Sequence, residues 1–475
     1  MRSLSCVAFA LATTCSCACA YANGTILLTR AVNTTTNGIL APAGTGLFTV
    51  NDYGGNLQQI TPFVAGSYYM PSWVAFYTNY QTGVSYWLTK NFSPDGQSIL
   101  YFKNPSADPA DGSYSGKYYV KNLHTGAIQP LFAGSNDNAA PGEGYLARDP
   151  VDGNTIAYAN STSEYAVTSP CVYLMHADGS NQHILWCAPA GIAVPDNPPS
   201  PSLAVESLRW SGNGKKLMVF VSYNPPPLGF VKKKATALDS HHTPALIRPK
   251  PLMQPGPAAG GPTKGGTSYS ALFVVDVATG TGVQVASNLI DPPASDISYD
   301  GTKMIYQQYD YAQCGDEDPE ALSASLCFAD LSTGTVTVTD LFQATTWMYY
   351  GDSDNWWDSY NDPDWYPEIL LSPDGSQAVF TMESTTSNDA DLFTIRTNAT
   401  NFRRLTRNPN PSTLYTGWTP VAWSSDGTRV LANHGTVPVA GSKDQTWPSQ
   451  VHIINVSNGD DRFVTNGFAV DWYQP

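Results

Sequence analysis

Charged side chains are scarce in this 475-residue chain, at 13% of all residues, and positive charge is the scarcer sign, with 24 Lys and Arg against 39 Asp and Glu. The formal net charge of -15 would repel phosphate backbones and anionic lipid surfaces, so we expect no nucleic-acid partner. Beyond the N-terminus, no apolar run is long enough to span a bilayer, which predicts no transmembrane segment. No stretch reads as a long amphipathic helix, which points away from helical folds.

Familiar catalytic motifs are also missing. The chain contains no His-Glu-x-x-His, no Gly-x-Ser-x-Gly and no Gly-rich phosphate-binding loop. Its histidines include His176, His183, His434 and His452, which are spread widely along the sequence. Because none of them has a visible partner, the sequence leaves both a structural and a catalytic role open.

The N-terminus predicts export. Met1 and Arg2 precede an apolar run over residues 4–12, and the small-residue ending at Ala20 and Ala22 resembles a signal-peptidase site. We expect a signal peptide over residues 1–22, cleavage after Ala22, and a periplasmic or extracellular mature chain. Lipid anchoring through a cysteine of this segment ranks second, because no convincing lipoprotein pattern precedes any of them.

Cysteine is rare after this segment, which contains four of the eight. Cys171 and Cys187 are nearly equidistant from an Asp-Gly turn at 178–179, which places them opposite each other in a hairpin. An even count in an exported chain predicts two local disulfides, Cys171 with Cys187 and Cys314 with Cys327. The alternative is four buried free thiols.

One phrase recurs through the chain: an apolar run, a Ser-x-Asp-Gly turn and a second apolar run, as in residues 369–380. Gly, Asn and Asp tolerate the left-handed backbone of such turns, so each copy predicts a β-hairpin. Degenerate copies lie at 91–102, 147–158, 208–214, 297–301 and 421–427. A hairpin of a second kind follows each copy, and this second kind occurs seven times, which indicates a repeat architecture.

The first kind of hairpin occurs six times, one fewer than the second kind, and the two chain ends supply the missing copy. Residues 468–473 match the first strand of the repeat, and residues 25–29 match its second strand. We therefore predict that 469–473 pair beside 26–28, which gives an all-β, seven-bladed β-propeller of four-stranded antiparallel blades. Residues 23–475 form one domain, with a Pro/Gly/Lys-rich mobile insertion at about 223–270.

The pairing of Ser-Pro-Asp-Gly hairpins with segments such as 172–181 and 402–406 resembles the WD-like repeat of the TolB-like propeller family. The resemblance covers nearly all of the mature chain and implies the same fold. Related propellers serve as periplasmic scaffolds, peptidase gating domains and enzymes, so it implies no single function. TolB itself has an α/β domain before its propeller, whereas here the signal leads straight into a strand, so we expect a TolB-like protein other than TolB.

Long insertions fall between the hairpins, which gathers them on one face of the predicted propeller. The connection at 343–368 combines aromatic rings with carboxylates and has no Lys or Arg. Rings stack on sugars or cations, and carboxylates accept hydroxyl hydrogen bonds or bind Ca²⁺. The expected ligand-binding residues are Trp347, Tyr349, Tyr350, Trp356, Trp357, Trp365 and Tyr366, and the expected calcium ligands are Asp352, Asp354 and Asp358. A loop that plugs the channel mouth is the alternative.

The sequence thus favours an exported, non-catalytic, monomeric propeller that binds a protein, peptide or cell-envelope glycan through its long-loop face. No cofactor is expected other than Ca²⁺ at the aspartates named above. The competing class is a lyase or hydrolase acting on polysaccharide, with its site at the channel mouth. A clustered acid/base set with perturbed pKa values at that mouth would separate the two classes.

Overall fold

The computed structural model describes residues 24–36, 39–64, 68–71, 91–104, 117–131, 146–159, 170–189, 203–223, 269–290, 295–309, 324–344, 369–383, 389–407, 414–438 and 449–475. Within these ranges the chain forms strands and turns and no helix. The strands build seven antiparallel blades of four strand positions each, arranged in a ring. The predicted seven-bladed β-propeller is therefore confirmed.

The strands follow in chain order. Blades 1 and 2 contain β1 (Thr25–Thr36), β2 (Ile39–Asn51), β3 (Gln58–Gln59), β4 (Tyr68–Pro71), β5 (Ser98–Asn104), β6 (Lys117–Asn122) and β7 (Ile128–Pro130). Blade 3 is β8 (Leu146–Arg148), β9 (Thr155–Ala159), β10 (Cys171–His176) and β11 (His183–Cys187). Blade 4 is β12 (Leu203–Trp210), β13 (Lys216–Tyr223), β14 (Tyr269–Asp276) and β15 (Thr281–Ile290).

Blade 5 is β16 (Ser295–Ile297), β17 (Lys303–Tyr309), β18 (Ala324–Asp330) and β19 (Thr337–Ala344). Blade 6 is β20 (Ile369–Leu371), β21 (Gln377–Glu383), β22 (Asp389–Arg396) and β23 (Arg403–Arg404). Blade 7 is β24 (Leu414–Trp423), β25 (Arg429–Pro438), β26 (Ser449–Asn455) and β27 (Asp461–Asn466). The final strand, β28 (Phe468–Tyr473), returns to blade 1.

Two pairs of blades share hydrogen bonds between their sheets. β4 pairs parallel to β2 at Thr45 and Tyr68 and antiparallel to β5, so it joins blades 1 and 2. The first half of β24 pairs parallel to β22 in the same way and joins blades 6 and 7. In blade 2 the innermost position is a single bridge between Phe92 and Ile99. β4 belongs to neither kind of hairpin, so it is a feature that the repeat pattern did not predict.

Blade 1 is assembled from both ends of the chain. β28 pairs antiparallel with β1, placing Trp472 opposite Ile26 and Asp471 opposite Leu27. This register confirms the predicted pairing of 469–473 with 26–28. Tyr473 also packs on the turn of blade 2, where Gly96 has φ 66° and a Cβ atom would lie 2.5 Å from the tyrosine ring. Only glycine suits that turn, because both the left-handed backbone and the close ring exclude a side chain.

The Ser-x-Asp-Gly turns are held by their own side chains. In blade 6 the Ser372 hydroxyl donates to Asp374 Oδ1 over 2.6 Å and accepts from the backbone N–H of Gln377 over 3.0 Å. Equivalent bonds recur at Ser93, Ser298 and Ser424. Because these bonds join residues that are close in sequence, the turn forms without help from the rest of the fold and can be predicted from the sequence.

The two short turns of each blade lie on the same face and are bonded to each other. In blade 6 the N–H of Thr397 donates to the carbonyl of Ser376 over 3.0 Å, and each other blade has an equivalent bond of 2.6 to 3.0 Å. In blade 1 this bond runs from Asp52 to Gly24, next to the joined chain ends. The connections inside and between blades that leave from the opposite strand ends form the second face.

Neighbouring blades meet at seven seams, and each seam has its own cluster of buried apolar residues. Side chains alternate between the two seams that flank a blade: Ile26 and Leu28 pack against blade 7, whereas Leu27 packs against blade 2. Strands buried on both faces need near-continuous apolar runs, which explains sequences such as Val430-Leu431-Ala432.

The predicted disulfide between Cys171 and Cys187 is present and joins directly paired residues of β10 and β11. Cys327 lies fully buried in β18 and is also disulfide-bonded. Cys314 lies outside the described residues, so its bond to Cys327 stays a prediction.

Deleting 468–475 should destabilise the whole domain. The deletion removes Val470 and Trp472 from two seams, at about 1.5–3 kcal/mol for each large apolar side chain, and exposes the edge of β1. Thermal unfolding followed by circular dichroism should show a single transition at lower temperature. Equal melting of truncated and full-length proteins would contradict the closure.

Non-reducing peptide mapping should recover two linked pairs, Cys171 with Cys187 and Cys314 with Cys327. Each bond closes a short loop, so reduction should cost less than the upper end of the usual ~2 to 4 kcal/mol. Recovery of crossed pairs, or of four alkylated thiols, would reject the assignment.

Candidate functional site

The two faces of the propeller differ in what they offer a ligand. On the short-turn face, the polar groups of the Ser-x-Asp-Gly turns bond within the turn, and hydrogen bonding by Ser93 and by the N–H of Gln97 lowers the pKa of Asp95. The longer connections, such as 224–268 between β13 and β14 and 345–368 between β19 and β20, start and end at strand ends on the opposite face. Binding groups usually reside on such connections carried by a rigid scaffold.

The predicted site residues all fall within the second of these connections. Trp347, Tyr349, Tyr350, Trp356, Trp357, Trp365, Tyr366, Asp352, Asp354 and Asp358 lie outside the described residues. The insertion at 224–268, with its lysines at 232–234, lies outside them too. The structure does fix where the connection starts and ends, at β19 of blade 5 and at the innermost strand β20 of blade 6.

Two buried carboxylates on innermost strands bond across the seams between blades. Asp471 of β28 accepts hydrogen bonds from the N–H groups of Asn91 and Phe92, at 2.8 and 2.9 Å. Asp296 of β16 accepts from the N–H of Leu371 over 2.7 Å and pairs with Arg209 over 3.0 Å. Each of these bonds crosses from one blade to the next, so these carboxylates hold the ring and are committed to structure.

A second polar cluster lies between blades 6 and 7, on the long-loop side of the seam. The rings of Trp418 on β24 and His434 on β25 stack with centroids 4.1 Å apart and 17° between their planes. His452 on β26 meets both rings edge-on, at 5.0 Å from Trp418 and 5.8 Å from His434. The indole N–H of Trp418 is buried and has no hydrogen-bond partner.

Hydrogen bonds orient His452. Its Nδ1 lies 3.0 Å from Asp461 Oδ2, and its Nε2 lies 3.3 Å from Gln450 Oε1. The carboxylate fixes a proton on Nδ1, so Nε2 of the neutral ring has no proton to donate to Gln450 Oε1, and a bond between them needs a protonated ring or a turned amide. Gln450 also bonds to His434, which connects the two imidazoles through one amide.

Burial keeps both rings neutral. Desolvation, reinforced by the neighbouring His452, lowers the pKa of His434 to about 4, although Gln450 and Asp461 act in the opposite direction. Desolvation also lowers the pKa of His452 and outweighs the attraction of Asp461. The cluster is therefore an acid/base set with perturbed pKa values, but it lies within a seam between blades and not at the channel mouth, where such a set was expected to separate an enzyme from a binding protein.

Sequence reasoning named His434 and His452 but did not bring them together. The register of β25 and β26 places Ala432 opposite His452 and His434 opposite Gln450, so the two histidines are diagonal neighbours on one face. Aligning Arg429 with Asn455, the residues next to the two short turns of the blade, would have given this register. By contrast, His176 and His183 lie in the outer hairpin of blade 3, where Nδ1 of His176 meets the Ser180 hydroxyl at an exposed turn.

A membrane-spanning helix and a metal site can be assessed only for the residues that the structure describes. Within them, no helix is long and apolar enough to cross a bilayer. Within the same residues, no group of three or more His, Cys, Asp or Glu is arranged to hold a metal ion. The calcium ligands expected at 352–358 are not among them.

No protein-family model matches the chain, and no curated protein matches its sequence. Among solved structures, an oligogalacturonate lyase in complex with manganese is 12% identical, with 94% of this chain and 86% of that chain covered and a TM-score of 0.47. A second oligogalacturonate lyase, from Vibrio parahaemolyticus, is 10% identical over the same shares, with a TM-score of 0.46. TolB from Acinetobacter baumannii is 11% identical, covering 94% and 82%, with a TM-score of 0.37.

Likeness at these identities concerns the fold alone. The class of protein is defined by the seven blades and the joined chain ends, which make this chain an all-β, seven-bladed β-propeller.

Replacing Asp471 by Ala should lower stability by about 1–3 kcal/mol, because the N–H groups of Asn91 and Phe92 lose their acceptor in a buried seam. The matched control is Asp460→Ala on an exposed turn, where a change within about 0.5 kcal/mol is expected. Urea unfolding measures both. Equal stability of the two variants would show that the bonds of Asp471 do not hold the ring.

Proposed function

We propose that the protein is an exported, non-catalytic propeller that binds a protein, peptide or cell-envelope glycan through its long-loop face. The observation that supports this proposal is the difference between the two faces of the propeller. Seven pairs of short turns are bonded to each other on one side, and the longer connections leave from the other. Ligand contacts reside on such connections more readily than on turns whose polar groups are already satisfied.

The composition of the connection between blades 5 and 6 supports a ligand with apolar and hydroxyl groups. It combines four tryptophans with tyrosines and aspartates and has no Lys or Arg. It leads into β20, so its end is anchored at the innermost strand beside the channel. Rings and carboxylates at such a position suit sugar or peptide recognition, and the aspartates suit Ca²⁺.

An enzyme acting on polysaccharide is the second candidate function. The cluster of His434, His452 and Asp461 favours it, because paired imidazoles with displaced pKa values and a carboxylate are what proton transfer requires. Its place within the seam between two blades equally suits a structural role, and binding therefore remains the first proposal.

Replacing Trp356 and Trp357 by Ala should weaken ligand binding at least tenfold and leave the melting temperature unchanged, because each blade keeps its own strands. The purified protein would first be screened on a glycan and peptide array, and each hit assayed for turnover. A plug would give the reverse result, with a lower melting temperature and unchanged binding. Measured turnover, lost in His434→Met, would replace the binding function by the enzymatic one.

A further inference from the structure

The seam between blades 6 and 7 changes character along its length. Toward the short-turn face it is apolar, with Leu370 and Val379 of blade 6 packed against Trp423 and Val430 of blade 7. Toward the long-loop face the same seam contains the stacked rings of Trp418, His434 and His452. Titratable groups thus occupy the half of the seam in which β22 and β24 also pair and the Thr381 hydroxyl donates to the Trp418 carbonyl, so an opening there breaks these bonds as well.

The repeat shows that His452 is a departure. It stands opposite the fourth residue of the second strand of its blade. The same position in the other six blades is filled by Phe48, Tyr119, Tyr173, Phe273, Cys327 and Phe393. His434, the sixth residue of its strand, corresponds to Val221 and Met382 in blades 4 and 6 but to Arg30 and Lys103 in blades 1 and 2. The departure from the repeat is therefore at His452, where an imidazole stands in place of a ring or a buried cysteine.

The charges around the pair do not balance two protons. On blade 7 the facing carboxylate is Asp461, which is half exposed, and Gln450 is neutral. Blade 6 faces the cluster with the uncharged Val379, Thr381, Leu392 and Leu405, and Glu383 follows them in the alternation of β21, with a side chain outside the described ones. Arg403 of blade 6 bonds to the Ser457 carbonyl at the short-turn end. Within blade 7, two imidazolium ions would share one solvated carboxylate.

We propose that the long-loop half of this seam is an acid-sensitive joint, in which protonation of His434 and His452 separates blades 6 and 7 locally while the other seams stay closed. The rings lie 5.8 Å apart and contact the same indole, so protonation of both places two positive charges side by side in a half-buried seam. The turn-side apolar cluster and the bond from Trp423 to the Leu370 carbonyl hold the rest of the seam.

The direction of the effect follows from linkage. An open joint exposes imidazoles with ordinary pKa near 6.5, whereas in the closed joint burial lowers the pKa of His434 to about 4. The open state therefore binds more protons between these values. The stability contributed by the neutral pair is complete above pH 6.5 and is lost as the pH falls toward 4.

Hydrogen exchange of the intact chain at pH 7 and pH 4.5, corrected for intrinsic exchange rates, measures the joint directly. In the wild type, acidification should raise the opening constants of peptides from 414–438 and 449–455 by about tenfold or more relative to peptides from β13 and β14, a figure that allows for the partial exposure of His434. His434→Met with His452→Phe, the residues of blade 6 at these positions, should reduce this ratio below twofold.

Two further variants complete the test. Asp461→Asn removes the facing carboxylate and should move the opening to higher pH, while His176→Asn at an exposed turn of blade 3 should leave the profile of blade 7 unchanged. If the double variant unfolds, the upward shift in Asp461→Asn still decides the matter. A wild-type ratio of one, a double variant with the wild-type ratio, or an unshifted Asp461→Asn would each overturn the proposal.

Discussion

Contact between neighbouring blades is the constraint on which the whole structure depends. A four-stranded antiparallel sheet buries one face easily, but here both faces of every blade are apolar and need a neighbour on each side. Seven seams for seven blades leave no flank uncovered, whereas an open array would need polar capping repeats at its ends. The chain meets this requirement by returning β28 to blade 1, which is why the last strand belongs beside the first.

Each seam combines its apolar cluster with a directional bond. Going round the ring, the bonds are made by Asp471, Arg148, Trp210, Arg209, Asp296, Trp423 and Asn433. The donors and acceptors differ in type, so the repeat does not impose one chemistry at the seam. What it imposes is that a side chain on an inner strand reaches the next blade, which fixes the rotation between blades in a way that apolar contact alone does not. These seven side chains therefore serve the architecture of the ring.

The fold was legible in the sequence because its signals are local. A turn such as 372–377 closes with bonds among residues five apart or fewer, and the disulfide of blade 3 follows from two cysteines placed symmetrically about one turn. β4 was missed because its pairing with Thr45 lies within one long stretch between blades and carries no repeat signal. The contact of His434 with His452 was missed for a related reason: it depends on the register of two strands and on Trp418, sixteen residues upstream of His434. The aromatic and acidic residues of 347–366 stay a prediction, because composition states what a loop can bind and not how its side chains converge.

A repeat of this kind makes its own exceptions visible. Because the seven seams pose the same packing problem, the residue that solves it in one blade is a reference for the others, and five aromatic rings at the position of His452 define the ordinary solution. Compared with an aromatic ring, an imidazole there contributes less favourable free energy of burial, and its protonated form has a desolvation cost. The same cost makes the opening of the joint depend on pH. Because the imidazole binds a proton more readily in the open state than in the closed state, acid favours opening. Departure from the repeat and sensitivity to acid thus both follow from the presence of an imidazole in place of an aromatic ring at position 452, on the long-loop side of the seam.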